Sequence, residues 1–501
     1  MDWKKPSRFL LTASVALGLV LSLGCEKNSP FVDHALNRLG YGPDPWTQAR
    51  LIELGPFQYI EEQLDPDSID DRPVETVLTS YPSLQMGLSD LWLNYGDSNG
   101  LLGRPIDARI QLRSAKIVRA IASRRQLLEV LTDFWFNHFN VDAAGNAMAL
   151  KTIHYEASAI RPHVLGKFED LLLATARHPA MLDYLDNQSN FRDGFQAMGR
   201  TWGLNENYAR EILELHTLGV GGGYSQDDVI SVAKAFTGWT TTYAIQRSWI
   251  GDGFQFLPEG HDESAKLILN GQLVLSPNGG EDDGRQVILF LARHPKTAER
   301  LSRKLVARFL DEESAAAVRE ELVRELSQIW LSTQGDLHAV TQRLLEEVVL
   351  SLGQQRQKVK RPLHFAASII RAGRGDVTTE PGRLAGALSW MGEDLYMTGP
   401  PTGLPDRSGH WASSGGLLYR FNGADVLISS SEAFGLEFDV EQGTAEVLVD
   451  GAISQFTPSG IHPEVRRVIV DSLDAMPGAT DREKAERART LVLSTPEFLS
   501  H

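Results

Sequence analysis

The side chains of this 501-residue sequence whose types suit proton transfer or ligand binding are His138, Arg161, His163, Glu211, Glu214, His216, His261 and Asp262. Histidine supplies a base or a neutral metal ligand near neutral pH, paired glutamates supply an acid and a base, and arginine a fixed charge for a developing oxyanion. These residues are therefore candidates for hydrolytic acid/base chemistry. His138, His163, Glu211 and Glu214 are also the candidate set for a divalent metal, which needs three or four donors converging at about 2.0–2.2 Å. His216 is left out of that set, because on a regular helix it lies about 200° around the axis from Glu214. His261 beside Asp262 reads as an acid/base or metal pair in a loop, or as a turn residue and its cap. Arg161 and His163 stand at a helix start that could hold an anion; equally, Arg161 could fix an entry turn by pairing with a carboxylate such as Glu211. No HExxH, CxxC, GxSxG or dinucleotide fingerprint is present.

The stretch that must position most of these groups is 205–219, NENYAREILELHTLG. Glu206, Arg210 and Glu214 follow one another at i,i+4, with Asn207 and Glu211 beside them and Tyr208, Ile212 and Leu215 on the other face. Asn205 as N-cap and Gly219 as stop predict one helix of about fifteen residues. Upstream, LLEVLTDFWFNHF ends a pair of helices within 109–140, and its i,i+4 pairs Asp133/Asn137 and His138/Asp142 sit among aromatics. Polar groups buried there need partners, so His138 is either a satisfied core histidine or a site residue. Downstream, Ser225 with Asp228 forms a capping box, and the glycine loop before it lacks the GK[ST] of a phosphate cradle. Alternation in 253–256 and 267–275 with Asn270-Gly271 predicts a small antiparallel ribbon with a two-residue turn. The segment 443–455 reads as irregular or strand, and two helices near 462–474 and 480–493 close the chain. The expected fold is mainly α: a large multi-helix domain over 31–440 with a β-ribbon insertion at about 250–278, and a helical segment 441–501 packed on it.

With 42% hydrophobic residues the chain can bury a large core, and 65 acidic against 49 basic residues give −16, which repels a phosphate backbone and sets general nucleic-acid binding aside. Lys4, Lys5 and Arg8 precede an apolar run, 9–24, too short for a comfortable membrane span. This is the pattern of an export signal over 1–24. The only cysteine, Cys25, follows the run directly and is similar to a bacterial lipoprotein processing site, although Ser22 stands where leucine is usual. Residues 25–30 then form a lipidated cysteine and polar tether, and a body without further cysteine is held by its core rather than by disulfides.

NENYAREILELHTLGV, followed by YSQDDV and AKAFTGW, resembles the signature of bacterial domain-of-unknown-function family 1800. Further segments match its pattern in order: HALNRLGYGP at 34–43, FWFNHFNV at 134–141, IRPHVLGKFEDLLLATARHPAMLDYLDN at 160–187, HDESAK at 261–266, a PP-x-G element at 400–403 and STPEFL at 494–499. Leu404 replaces a tryptophan usual in the family, so no role is carried over to that loop. The resemblance implies a fold and a secreted setting without an established reaction. It also implies a class of partner, since members are often encoded beside exported proteins that look like alkaline phosphatases and sulfatases. Two functions stand: an exported, lipid-anchored envelope protein with a hydrolase-like acid/base or metal pocket, or a non-catalytic scaffold or accessory protein of the same location.

Overall fold

Proline starts many of this chain's helices, as at Pro45, Pro56, Pro105, Pro179, Pro295, Pro362 and Pro463, because its fixed φ suits the first turn and its missing N–H is not needed there. The structure, a computed structural model, describes residues 30–96, 100–197, 199–246, 253–310, 316–350, 358–376 and 381–501. The expected signal, Cys25 and tether lie outside these residues. The protein is 65% helical, and its described strands form three two-stranded antiparallel ribbons. Among the described residues no helix is long and apolar enough to cross a membrane.

The helices that hold the polar residues are α1 (Pro30–Leu39), α2 (Pro105–Ala122), α3 (Gln126–His138), α4 (Asn146–Tyr155), α5 (Asn207–Glu211), α6 (Gln226–Ala235), α7 (Pro295–Phe309) and α8 (Pro362–Ala372). α3 runs through the middle of the molecule and is buried on every side except at Leu128. Trp135 on it and Phe139 just past its end pack against Phe168, which in turn meets Trp330. One continuous hydrophobic core extends from Val32 to Leu499.

Several local expectations change. The stretch 205–219 is not one regular helix: α5 passes at once into a π turn, Ile212–His216, and Glu206 rather than Asn205 occupies the N-cap. Asn205 instead accepts a hydrogen bond from the Asn207 amide, an Asx turn. A second π turn, Glu156–Ile160, follows α4. α3 ends at His138, so His138 and Asp142 are not a helical pair. In place of one ribbon there are three, β1–β2 (Phe195–Ala197 with Arg200–Trp202), β3–β4 (Trp239–Thr241 with Phe254–Phe256) and β5–β6 (Lys266–Ile268 with Leu273–Leu275). The β5–β6 connection has four residues, with Leu269, Asn270 and Gly271 all at positive φ. The segment read as irregular or strand is a helix, Ala445–Phe456.

Candidate functional site

The polar residues are organised by α3, which carries Glu129, Asp133 and Asn137 at successive i,i+4 positions, all buried. Glu129 receives two parallel bonds from Arg161, both 2.8 Å. Arg161 also reaches Glu156 in the 156–160 π turn at 3.4 Å, and Glu156 is held by Arg119 of α2 at 3.5 Å and by the Tyr396 hydroxyl. One turn on, Asp133 pairs with Lys116 at 2.6 Å and Arg361 at 3.0 Å. Arg361 also pairs with Glu393, whose second oxygen accepts from the Leu363 amide at 2.9 Å. Asn137 completes the stripe by clamping the 399–406 loop: its Nδ2 donates to the Leu404 carbonyl and its Oδ1 accepts from the Leu404 amide.

Burial opposes ionisation of Asp133 and Glu156, but Arg361 and Lys116 for the first, and Arg161 and Arg119 for the second, hold both carboxyls below the usual range. Burial likewise opposes the charge of Arg161, and Glu129 and Glu156 overcome it. Arg161 therefore has Glu129 and Glu156, not Glu211, as its partners. Nor does it begin a helix: residues 161–163 form a 3₁₀ turn and the next helix starts at Phe168, so the expected helix N-terminus for an anion is not there.

His138 and His216 come together behind this stripe. Nε2 of His138 lies 3.1 Å from the His216 carbonyl, an acceptor, which places the proton on Nε2. Nδ1 is then a lone pair facing the Lys304 ammonium at 3.3 Å, and Lys304 also pairs with Asp406 at 3.4 Å. Burial first, then Lys304 and Arg300, keeps His138 well below its ordinary pKa; burial with Arg300 and Lys304 takes His216 down to about 3. Both rings are neutral at pH 7.

Glu211 and Glu214 do share a partly exposed face. Burial and the neighbouring Glu214 raise the Glu211 carboxyl, as two like charges must. Tyr224 hydrogen-bonds Glu214, and burial together with that bond pushes its phenol up to about 12. Tyr184, also pushed up to about 12 by burial and then by Asp142, donates to the Gly399 carbonyl at 2.5 Å.

His163 stays apart in its 3₁₀ turn, lowered by burial and raised by Asp170. His138, His163, Glu211 and Glu214 do not converge: among the described residues no three His, Cys, Asp or Glu side chains are grouped as a metal would require. At His138 itself the ring lone pair faces the Lys304 ammonium rather than a shared metal position. His261 and Asp262 also separate. His261 is buried, with Nδ1 2.8 Å from the Thr237 carbonyl and Nε2 3.3 Å from Asp283, a carboxylate shared with Lys266 at 2.7 Å. Asp262 instead caps its turn, accepting from the amide and hydroxyl of Ser264. Lys116, Glu129, Lys304, Arg361 and Glu393 were not singled out from the sequence, and Glu156 was read only as part of the turn around Arg161. The i,i+4 spacing of Glu129 and Asp133 on an apolar helix was the one signal for them.

The family model for "Protein of unknown function (DUF1800)" matches residues 34–500, nearly the whole chain, and the chain belongs to that family. No curated protein and no solved structure matches it.

Proposed function

We propose that this DUF1800 member is an exported, lipid-anchored envelope protein of scaffold or accessory type, in which the buried ions lock helix packing and the outer faces serve a partner. The carrying observation is the two sets of buried ion pairs around α3, Glu129–Arg161–Glu156 and Lys116–Asp133–Arg361–Glu393, in which every carboxylate has a cation. A catalytic carboxylate or arginine has to meet its substrate, whereas a satisfied buried network fixes a unique packing. The basic start, apolar run and Cys25 support the anchor, and the family resemblance supports an exported phosphatase- or sulfatase-like protein as partner.

One observation favours a second reading, hydrolase-like acid/base chemistry: the raised Glu211 beside Glu214 on an accessible face. The full chain, expressed in a bacterium that processes lipoproteins, separates the readings. Labelled fatty acid is expected on the wild type and not on Cys25→Ala; equal labelling would overturn the anchor. Glu129→Ala is expected to lose roughly 3–5 kcal/mol, because it leaves Arg161 buried without its main partner. Turnover of phosphate or sulfate esters that vanishes in Glu211→Gln at unchanged Tm would overturn the scaffold reading.

A further inference from the structure

Beyond Asp406 the polar spine ends in a cavity of ≈ 20 Å³ whose wall includes Tyr41, Arg308, Lys358, His364, Trp411 and His501. A single water needs about 10–15 Å³ measured in this way, so the space admits one particle of water or halide size and excludes a tetrahedral oxyanion. The carboxylates on the wall already have cations: Asp133 has Lys116 and Arg361, Glu393 has Arg361, and Asp406 has Lys304.

Arg308 differs from those cations. Its residue is 8% exposed and it makes no ion pair among the described residues; its Nε, like that of Arg361, has no hydrogen-bond partner. Nor does the end of α7 engage it. The carbonyls of Ala307, Phe309 and Leu310, which would attract a cation there, are taken by Lys358 and Arg38. Asp133 and Asp406 act on Arg308 without pairing with it, but burial, with Arg361 beside it, outweighs them, so its charge is incompletely compensated, which is unfavourable for a buried guanidinium. Beside it stand two buried imidazoles, His364 at 4% and His501 at 3% exposure, their rings 4.4 Å apart. Nε2 of His364 and both ring nitrogens of His501 lack partners. A neutral imidazole always carries one N–H, so each ring can offer a donor. Positive charge and unused donors thus face one small space.

We infer that this cavity is a binding site for one monovalent anion of chloride size, held by the Arg308 guanidinium with N–H groups of His364 and His501. The site borders the Asp133–Arg361–Glu393 pairs on which the scaffold reading rests, and it uses none of the Glu211 face of the hydrolase reading. The anion completes the charge balance at the inner end of α7, where α1, α8 and the 358–360 segment meet.

The test is thermal melting of the detergent-solubilised full chain in sodium chloride, bromide, gluconate and sulfate at equal ionic strength. A ligand that binds only the folded state raises Tm with its concentration. Chloride and bromide are expected to raise Tm saturably by several degrees over gluconate and sulfate. Arg308→Met should lose that difference, Arg308→Lys should keep part of it, and Arg303→Gln, on the outer side of the same helix, should keep it all. Bromide diffraction data should place an anomalous peak in the cavity, a readout that needs no variant to fold. Equal Tm in all four salts, a full chloride effect in Arg308→Met, or a cavity holding water only would each overturn the assignment.

Discussion

A buried imidazole surrounded by cations makes the folded protein a weaker base than its unfolded chain. His138, His178, His216, His364 and His501 are all in this position, lowered first by burial and then by neighbouring positive or imidazole groups. Below about pH 6.5 the unfolded chain takes protons that the folded one refuses, so the stability these residues contribute is present above that pH and lost as pH falls toward their folded values. Each adds about 1.4 kcal/mol per pH unit in that range, and for His216 the range runs down to about pH 3. The raised Glu211, Asp71 and Glu346 act in the opposite sense, favouring the folded state at acid pH, but they are three carboxyls against five imidazoles. Urea unfolding at pH 7.5, 6 and 5 should therefore show a steep loss, with a slope about 1.4 kcal/mol per pH unit smaller in His216→Phe. A flat profile would mean that these rings are hydrated. At this scale the sequence was half legible. The i,i+3 spacing of Glu211 and Glu214 put them on one face, and His138 among aromatics was readable as a satisfied core histidine. Asp133's partner Arg361 lies 228 positions away, and nothing local could indicate it.

Elements with regular periods were legible, and those shaped by tertiary contact were not. Helices such as Pro463–Asp474 and Asp481–Leu493 fall close to their expected limits, because caps and a 3.6-residue stripe specify them. The π turn of 212–216 leaves no such mark: His216 is drawn beneath Phe139, their rings 5.1 Å apart, and the backbone takes up an extra residue to let it. Strand β3 is buried at every position, so it shows no alternation, and its partner β4 was assigned to the wrong ribbon. The helix at 445–456 buries Ala445, Leu448, Val449, Ala452 and Phe456, a helical spacing that the alternation of its first residues concealed. The 399–406 loop gives the clearest test at this scale. Gly403 has φ +70°, and a Cβ there would stand 2.4 Å from the Asn137 carbonyl oxygen and 2.5 Å from its Oδ1. Gly403→Ala should lose about 1–2 kcal/mol for the left-handed backbone, and about 1 kcal/mol more for each Leu404–Asn137 bond it breaks. Tm and hydrogen exchange at the Leu404 amide would register this. An unchanged Tm with the Leu404 amide no longer protected would show that the Asn137 bonds do not stabilise the loop.

Over the whole molecule, helical composition and a core of the right size followed from residue content, but the joining of the chain's ends to its middle did not, because it rests on backbone pairing. Residues 358–360 bond to the last described residues: Lys360 N–H to the Leu499 carbonyl at 2.8 Å and His501 N–H to the Lys358 carbonyl at 2.9 Å. The Lys360 ammonium lies over Phe498 at 4.2 Å, and Phe498 packs against Phe365 of α8 and Phe456. From the other side Arg489 donates to the Val440 carbonyl and lies over Phe438. Leu448, Val449, Val492 and Leu493 belong to the same core cluster as α3. Residues 441–501 therefore cover apolar surface that the 31–440 part cannot leave in water, and burial of that surface is the main favourable contribution to folding. Calorimetry of the full chain should show one cooperative transition, and a chain stopped after residue 440 should be insoluble or readily proteolysed throughout. Two resolved transitions, or a protease-resistant 30–440 fragment, would instead make the last sixty or so residues a unit docked on a body that folds without them.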